Sequence, residues 1–157
     1  MHTRPMGAYE VLNSFRQDID EVGYGVAAVT GDVTGCDWAY SVGLDHSFDH
    51  PELIVIGVEA PLAGAIVQAL ADKVVLGIDL RQQPGARIGP MTFRFDDVDD
   101  VFRSQGDWFN LGREIVAEFG ERWPDTIQVV WADDEGRFPG SDGADDSEWF
   151  LRQPLLV

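Results

Sequence analysis

Leu53-Ile54-Val55-Ile56 places four apolar side chains in succession, and such a run leaves neither face of a β-strand wet. Whatever fold the chain adopts must cover this strand on both sides. Three stretches read as helices that could do so. In 8–20, Val11, Leu12, Phe15 and Ile19 share one stripe, with Glu10, Arg16, Gln17 and Asp18 elsewhere. In 61–76, Pro61 suits a first helical turn, Ile66, Val67, Leu70 and Val74 repeat on one side, and Gly77 offers a C-terminal cap. Trp108, Leu111, Ile115 and Phe119 predict a third helix over 107–120.

The other strands are read from period-two patterns. Tyr24–Val29 ends at the turn residues Thr30-Gly31-Asp32. The segment Asp37–Leu44 alternates Trp38, Tyr40 and Val42 with small residues, so the two pair as a hairpin. Residues 45–51 read as a polar loop and 79–90 as turn-rich chain, with Met91–Phe95 a half-exposed strand after it. Thr126–Trp131 is a last strand, Asp133–Gly136 a tight turn, and 140–148 a mobile, solvated acidic loop. Local antiparallel pairing with one crossover predicts an α+β fold over 1–157, a single domain with a mixed, largely antiparallel sheet flanked by about three helices. That length fits one domain of roughly 100–150 residues.

Composition narrows the function. A hydrophobic fraction of 45% with 11% aromatic residues requires a packed core. The net charge of -17 repels nucleic-acid phosphates and anionic membrane surfaces, which removes both as partners. The single cysteine, Cys36, cannot form an internal disulfide, and no apolar run has the length of a membrane span or signal segment. The chain therefore reads as cytoplasmic.

Candidate chemistry concentrates in a few places. Gly23-Tyr24-Gly25-Val26-Ala27-Ala28 matches a dinucleotide pattern in letters only, because an acidic helix precedes it and a strand follows it, the reverse of what a pyrophosphate needs. The stretch Asp45–Glu52 holds two of the three histidines and several carboxylates, the donors that bind zinc, manganese or iron. Pro51 disfavours a helix through His50, and in an extended segment the Cα atoms of His46 and His50 lie about 13 Å apart. That is too far to share one ion through bonds of about 2 Å without a tight turn. His50 with Glu52 or Asp49 could also act as acid and base.

Cys36 lies beside Asp37, which raises a thiol pKa, and Ser41 lacks the glycines of a nucleophile elbow, so it faces a surface of small residues. Arg81, Arg87 and Arg94 make 80–95 the one locally basic segment, either an anion site or a neutraliser of nearby Asp and Glu. The runs 96–100 and 142–148 lack calcium-loop spacing and read as solvated acidic surface.

Trp38-Ala39-Tyr40-Ser41-Val42-Gly43-Leu44, then His50-Pro51-Glu52-Leu53-Ile54-Val55-Ile56-Gly57, then Val130-Trp131-Ala132-Asp133 with Gly136-Arg137-Phe138-Pro139 together resemble a bacterial family catalogued as domain of unknown function 4262. The resemblance runs from about 23 to 156. It departs from the family pattern at Ala132, where proline is expected, and at Gly140, where an aromatic is common. It implies no reaction, and it adds weight to Tyr40, His50, Glu52 and Asp133 as site positions.

The leading expectation is a small-molecule or protein binding domain, an accessory domain without intrinsic catalysis. Its ligand surface lies around 40–52 and uses Tyr40, His50, Glu52 and Asp133. The alternatives are a metal-dependent hydrolase, with His46, His50 and Asp49 (or Asp45 or Glu52) on the ion, and an acidic interaction protein of a toxin, immunity or defence system with a basic protein partner. The sequence names no cofactor.

Overall fold

A computed structural model describes residues 8–31, 36–139 and 153–157 of the chain. The acidic stretch 140–148 and the turn residue Asp32 lie outside them. The elements are α1 (Ala8–Val22), β1 (Gly25–Val29), β2 (Trp38–Val42), α2 (Leu44–Phe48), β3 (Glu52–Ile56), α3 (Ala60–Val75), a 3-10 turn (Leu80–Gln82), β4 (Ala86–Ile88), β5 (Met91–Asp97), α4 (Asp100–Ser104), α5 (Asn110–Ala117) and β6 (Thr126–Trp131). The fold is α+β with one six-stranded mixed sheet, in the order β1-β2-β3-β6-β5-β4. Among the described residues only β3 and β6 run parallel; every other pair is antiparallel, including the expected β1–β2 hairpin.

β3 is buried along its whole length. One face of the sheet, with Ala39, Leu53, Val55, Ile127, Val129 and Phe93, lies under Ala63, Ile66, Val67 and Leu70 of α3. The other, with Ala27, Tyr40, Val42, Ile54 and Ile56, lies under Phe15 and Ile19 of α1 and Ile115 and Val116 of α5. Burying a side chain of this kind contributes about 1.5–3 kcal/mol, so the central strands and the three long helices hold one another in place. No helix among the described residues is long and apolar enough to cross a membrane.

Two expectations are corrected. The polar loop 45–51 contains α2, and the turn-rich 79–90 contains β4, which reaches β5 through Gly89-Pro90 with Ile88 opposite Met91. A three-residue edge strand with Arg87 at its centre has no alternation to read. The acidic run 96–100 also has structural roles: Asp96 closes β5 against Arg94, and the Asp99 side chain accepts the Val101 N–H at 3.0 Å to cap α4.

The parallel pairing ends early. Ladder partners are Glu52 with Thr126 through Ile54 with Gln128. Beyond them the strands are joined through Trp131, whose indole N–H donates to the Ile56 carbonyl at 2.8 Å. The Trp131 main chain bonds a side chain in place of a strand: its N–H donates to Gln153 Oε1 at 2.8 Å, and its carbonyl accepts Gln153 Nε2–H at 3.0 Å. Gln128 reciprocates, donating to the Pro154 carbonyl and accepting the Leu156 N–H, both at 2.8 Å. Residues 153–156 are thereby held on the α1–α5 side, where Leu156 joins the core.

Candidate functional site

Tyr40 on β2 is 1% exposed. Phe109 and Trp123 meet its ring edge-on at centroid distances of 5.3 and 5.6 Å, and its hydroxyl accepts the Gly112 N–H at 3.0 Å. Burial pushes the phenol up to about 12. The ring is a core side chain that ties β2 to the start of α5.

Glu52 opens β3 and is fully buried. Its Oε1 accepts the Ser41 hydroxyl at 2.7 Å and the Leu44 N–H at 3.1 Å; its Oε2 accepts the N–H groups of Gly43 at 3.0 Å and Asp45 at 3.2 Å. Burial pushes the carboxyl up to about 7 against the pull of these four donors. Gly43 reaches them because its φ of 117° is open to glycine, and a Cβ there would lie 2.8 Å from the Gly23 carbonyl oxygen. Ser41 does not face a surface of small residues; it is wholly buried and its oxygen also accepts the Leu53 N–H at 2.9 Å. The carboxylate thus holds the N–H groups at the start of α2 from a neighbouring strand, within a segment expected to be a loop.

The two histidines go separate ways. α2 ends at Asp49, whose φ is 53°, and His50 leaves the helix to be buried. Its Nδ1 contacts the Pro51 carbonyl at 2.8 Å and its Nε2 accepts the Leu80 N–H at 3.0 Å. These partners fix a neutral imidazole with the proton on Nδ1. The His46 ring is instead stacked on Phe119 at 4.4 Å with Nδ1 on Glu121 at 2.6 Å. The structure therefore does not bring His46, His50 and Asp49 together. Among the described residues, no group of three His, Cys, Asp or Glu side chains is arranged to hold a metal ion.

Burial lowers His50 from the ordinary value of 6.5, ahead of the opposing pull of the Pro51 carbonyl and Asp79. A base depressed by folding contributes stability that is present above its unfolded value and is lost as pH falls through its folded one. Between about pH 7.5 and 5.5 the stability of the wild-type protein relative to His50→Gln is therefore expected to fall in urea denaturation, Glu52 titrating in the same window alike in both proteins. Equal losses in the two proteins would contradict a neutral His50. Asp79, held low by Arg81, titrates below this window.

Asp133 is placed elsewhere, just past the carboxyl end of β6. Its Oδ1 accepts the N–H groups of Glu135 at 3.0 Å and Arg137 at 2.8 Å, and Oδ2 meets the Arg137 guanidinium at 3.1 Å. These bonds hold its carboxyl below the usual range and close the turn that forms one wall of a cleft of about 700 Å³. The other walls are Gly57–Glu59 after β3, Leu62 at the start of α3, and Arg87 with Pro90–Thr92 on the β4–β5 hairpin. Gly57, at φ 90°, makes the turn out of β3.

In open sheets with parallel strands, ligands bind outside the carboxyl ends where successive connections leave to opposite faces. β3 and β6 are the parallel pair among the described strands. The chain after β3 enters α3 on one face, whereas residues 153–156 lie on the other. The cleft was legible only in part. Asp133 and Arg87 stood out in the sequence, but Val58, Leu62 and Met91 did not, because single apolar residues at element ends carry no periodic signal.

The basic segment 80–95 resolves residue by residue. Arg81 pairs with Asp79 and Arg94 with Asp96, as neutralisers. Arg87 has no carboxylate at ion-pair distance among the described residues, and its Nε donates to the Gly89 carbonyl at 3.2 Å.

A family model described as Domain of unknown function (DUF4262) matches residues 18–145. No curated protein and no solved structure matches the chain.

Proposed function

Because the chain belongs to the DUF4262 family, whose description names no reaction, we propose from the geometry that it is a cytoplasmic binding domain for a small, partly apolar molecule held in the cleft beyond β3 and β6. The observation that carries this reading is the position of the cleft at the carboxyl ends of the one parallel strand pair. Its size falls within the roughly 300–1,000 Å³ of small-molecule sites. Leu62, half exposed at 49%, supplies apolar contact with Val58 and Met91, and Arg87, Glu59 and Asp134 supply polar groups at the rim. The single cysteine supports the cytoplasmic assignment.

Tyr40, His50 and Glu52 enter this proposal as the frame that fixes β2 and β3, and Asp133 as the residue that shapes the wall. Amide NMR with a mixture of small aromatic and aliphatic fragments tests it. Perturbations are expected at Gly57, Val58, Leu62, Met91 and Ala132, and Leu62→Arg, a change at an exposed position, should abolish them without lowering the melting temperature. Perturbations confined to other surfaces, or unchanged in Leu62→Arg, would remove the site.

A further inference from the structure

The cleft carries charges of both signs in a protein with 28 carboxylates and 11 Lys or Arg. Arg16, Arg81, Arg94, Arg103 and Arg137 each pair with Asp or Glu, whereas Lys73, Arg113 and Arg122, like Arg87, have no carboxylate at ion-pair distance among the described residues. Arg87 lines the cleft without such a partner, although Glu59, Asp133 and Asp134 line it too. Asp133 is committed to Arg137. Glu59 stands at the start of α3 and its side chain makes no capping hydrogen bond. Neither Glu59 nor Asp134 has a cation at ion-pair distance among the described residues. One guanidinium and two carboxylates therefore line the cleft together with Val58, Leu62 and Met91, with no ion pair between them.

We infer that the cleft recognises a zwitterionic amphiphile: a free α-amino acid or short peptide with an apolar side chain. Its carboxylate pairs with Arg87, its ammonium with Glu59 or Asp134, and its side chain lies against Leu62, Val58 and Met91. A guanidinium presents a planar fork that matches a carboxylate, and two acidic neighbours favour a ligand that brings its own positive charge. A simple anion meets Arg87 but also the repulsion of Glu59 and Asp134. A simple cation leaves Arg87 without a counter-charge, and an apolar molecule leaves all three groups unanswered.

This inference rests on the cleft reading, and the experiment separates the two. Titrate the protein, by calorimetry and amide NMR together, with L-phenylalanine, with L-phenylalaninamide, which lacks the carboxylate, and with 3-phenylpropanoate, which lacks the ammonium. Each truncation is expected to weaken binding about tenfold, the loss of one charge-assisted contact. In Arg87→Gln the acid and the amide should bind alike. In the double variant Glu59→Gln with Asp134→Asn the acid and 3-phenylpropanoate should bind alike. All three positions are exposed, and unchanged melting temperatures verify the fold.

If all three probes bind in the cleft with equal affinity, the ligand class is overturned and the site stands. Sensitivity to one truncation alone overturns the zwitterion. If none perturbs the cleft amides at millimolar concentration while fragments do, the class is likewise overturned. If fragments fail there as well, the site itself is overturned.

Discussion

Replacing Glu52 by glutamine is expected to lower stability by about 1–3 kcal/mol, less whatever is regained by removing a buried charge, measured by urea denaturation near pH 8, above the value of about 7 to which burial pushes this carboxyl. The reason is donor arithmetic. Both carboxylate oxygens accept two donors each, and three of the four are main-chain N–H groups of 43–45. An amide keeps one oxygen and puts an NH₂ group in the other place. If the NH₂ replaces Oε2 it faces the N–H groups of Gly43 and Asp45; if it replaces Oε1 it faces that of Leu44. Either way a buried donor loses its acceptor, at about 1–3 kcal/mol for each such group. Ser41→Ala should lose a comparable amount, about 1–3 kcal/mol, since it removes one donor to the carboxylate and leaves the Leu53 N–H short of an acceptor. A Glu52→Gln protein as stable as wild type would mean that α2 does not depend on the strand for its start.

Gly112→Ala is expected to destabilise by about 2 kcal/mol or more, while Gly64→Ala, an identical change in another helix, should be neutral or stabilising by up to about 1 kcal/mol. Alanine improves helix propensity at both positions, so packing decides the sign. At Gly112 a Cβ would sit 2.4 Å from Cζ3 of Trp123 and 2.9 Å from Cε2 of Tyr40; at Gly64 the nearest atom is Val26 Cγ1 at 3.9 Å. Trp123 cannot retreat easily. It stacks on Phe109 at 4.9 Å, and its indole N–H donates to Thr126 Oγ1 at 3.0 Å. The near-ultraviolet circular dichroism of Gly112→Ala should report the displaced rings. Equal effects of the two alanines would show that the aromatic cluster is looser than its contacts.

The parts of the fold that depend on repeating patterns were legible. Leu53–Ile56 announced a strand covered on both faces, and the stripes of α1 and α3 named the helix residues that cover β1 to β3. The third helix starts later than its spacing predicts, at Asn110, because Asp107–Phe109 form the turn that places Phe109 against Tyr40. Elements set by a single distant contact were not legible. α2 owes its start to a carboxylate on β3, and β4 owes its existence to pairing with β5 across two residues.

The same division explains the site. Tyr40, His50 and Glu52 attract notice as polar residues in an apolar tract, and the structure places all three in the interior, where their hydrogen bonds hold the strands together. A sequence does not distinguish a polar residue that meets a ligand from one that meets the protein's own main chain. Asp133 and Arg87 come together only through the β5–β6 pairing, which sets the β4–β5 hairpin beside the turn after β6.

The main-chain N–H and carbonyl of Trp131 both bond the side chain of Gln153, a residue 22 positions further along the chain. A nascent chain that has emerged only as far as β6 would carry an unfinished seam at the midline of its sheet. Any extended segment that arrives first competes for those two groups. Those two groups are satisfied by Gln153 only once the chain has been made past 153.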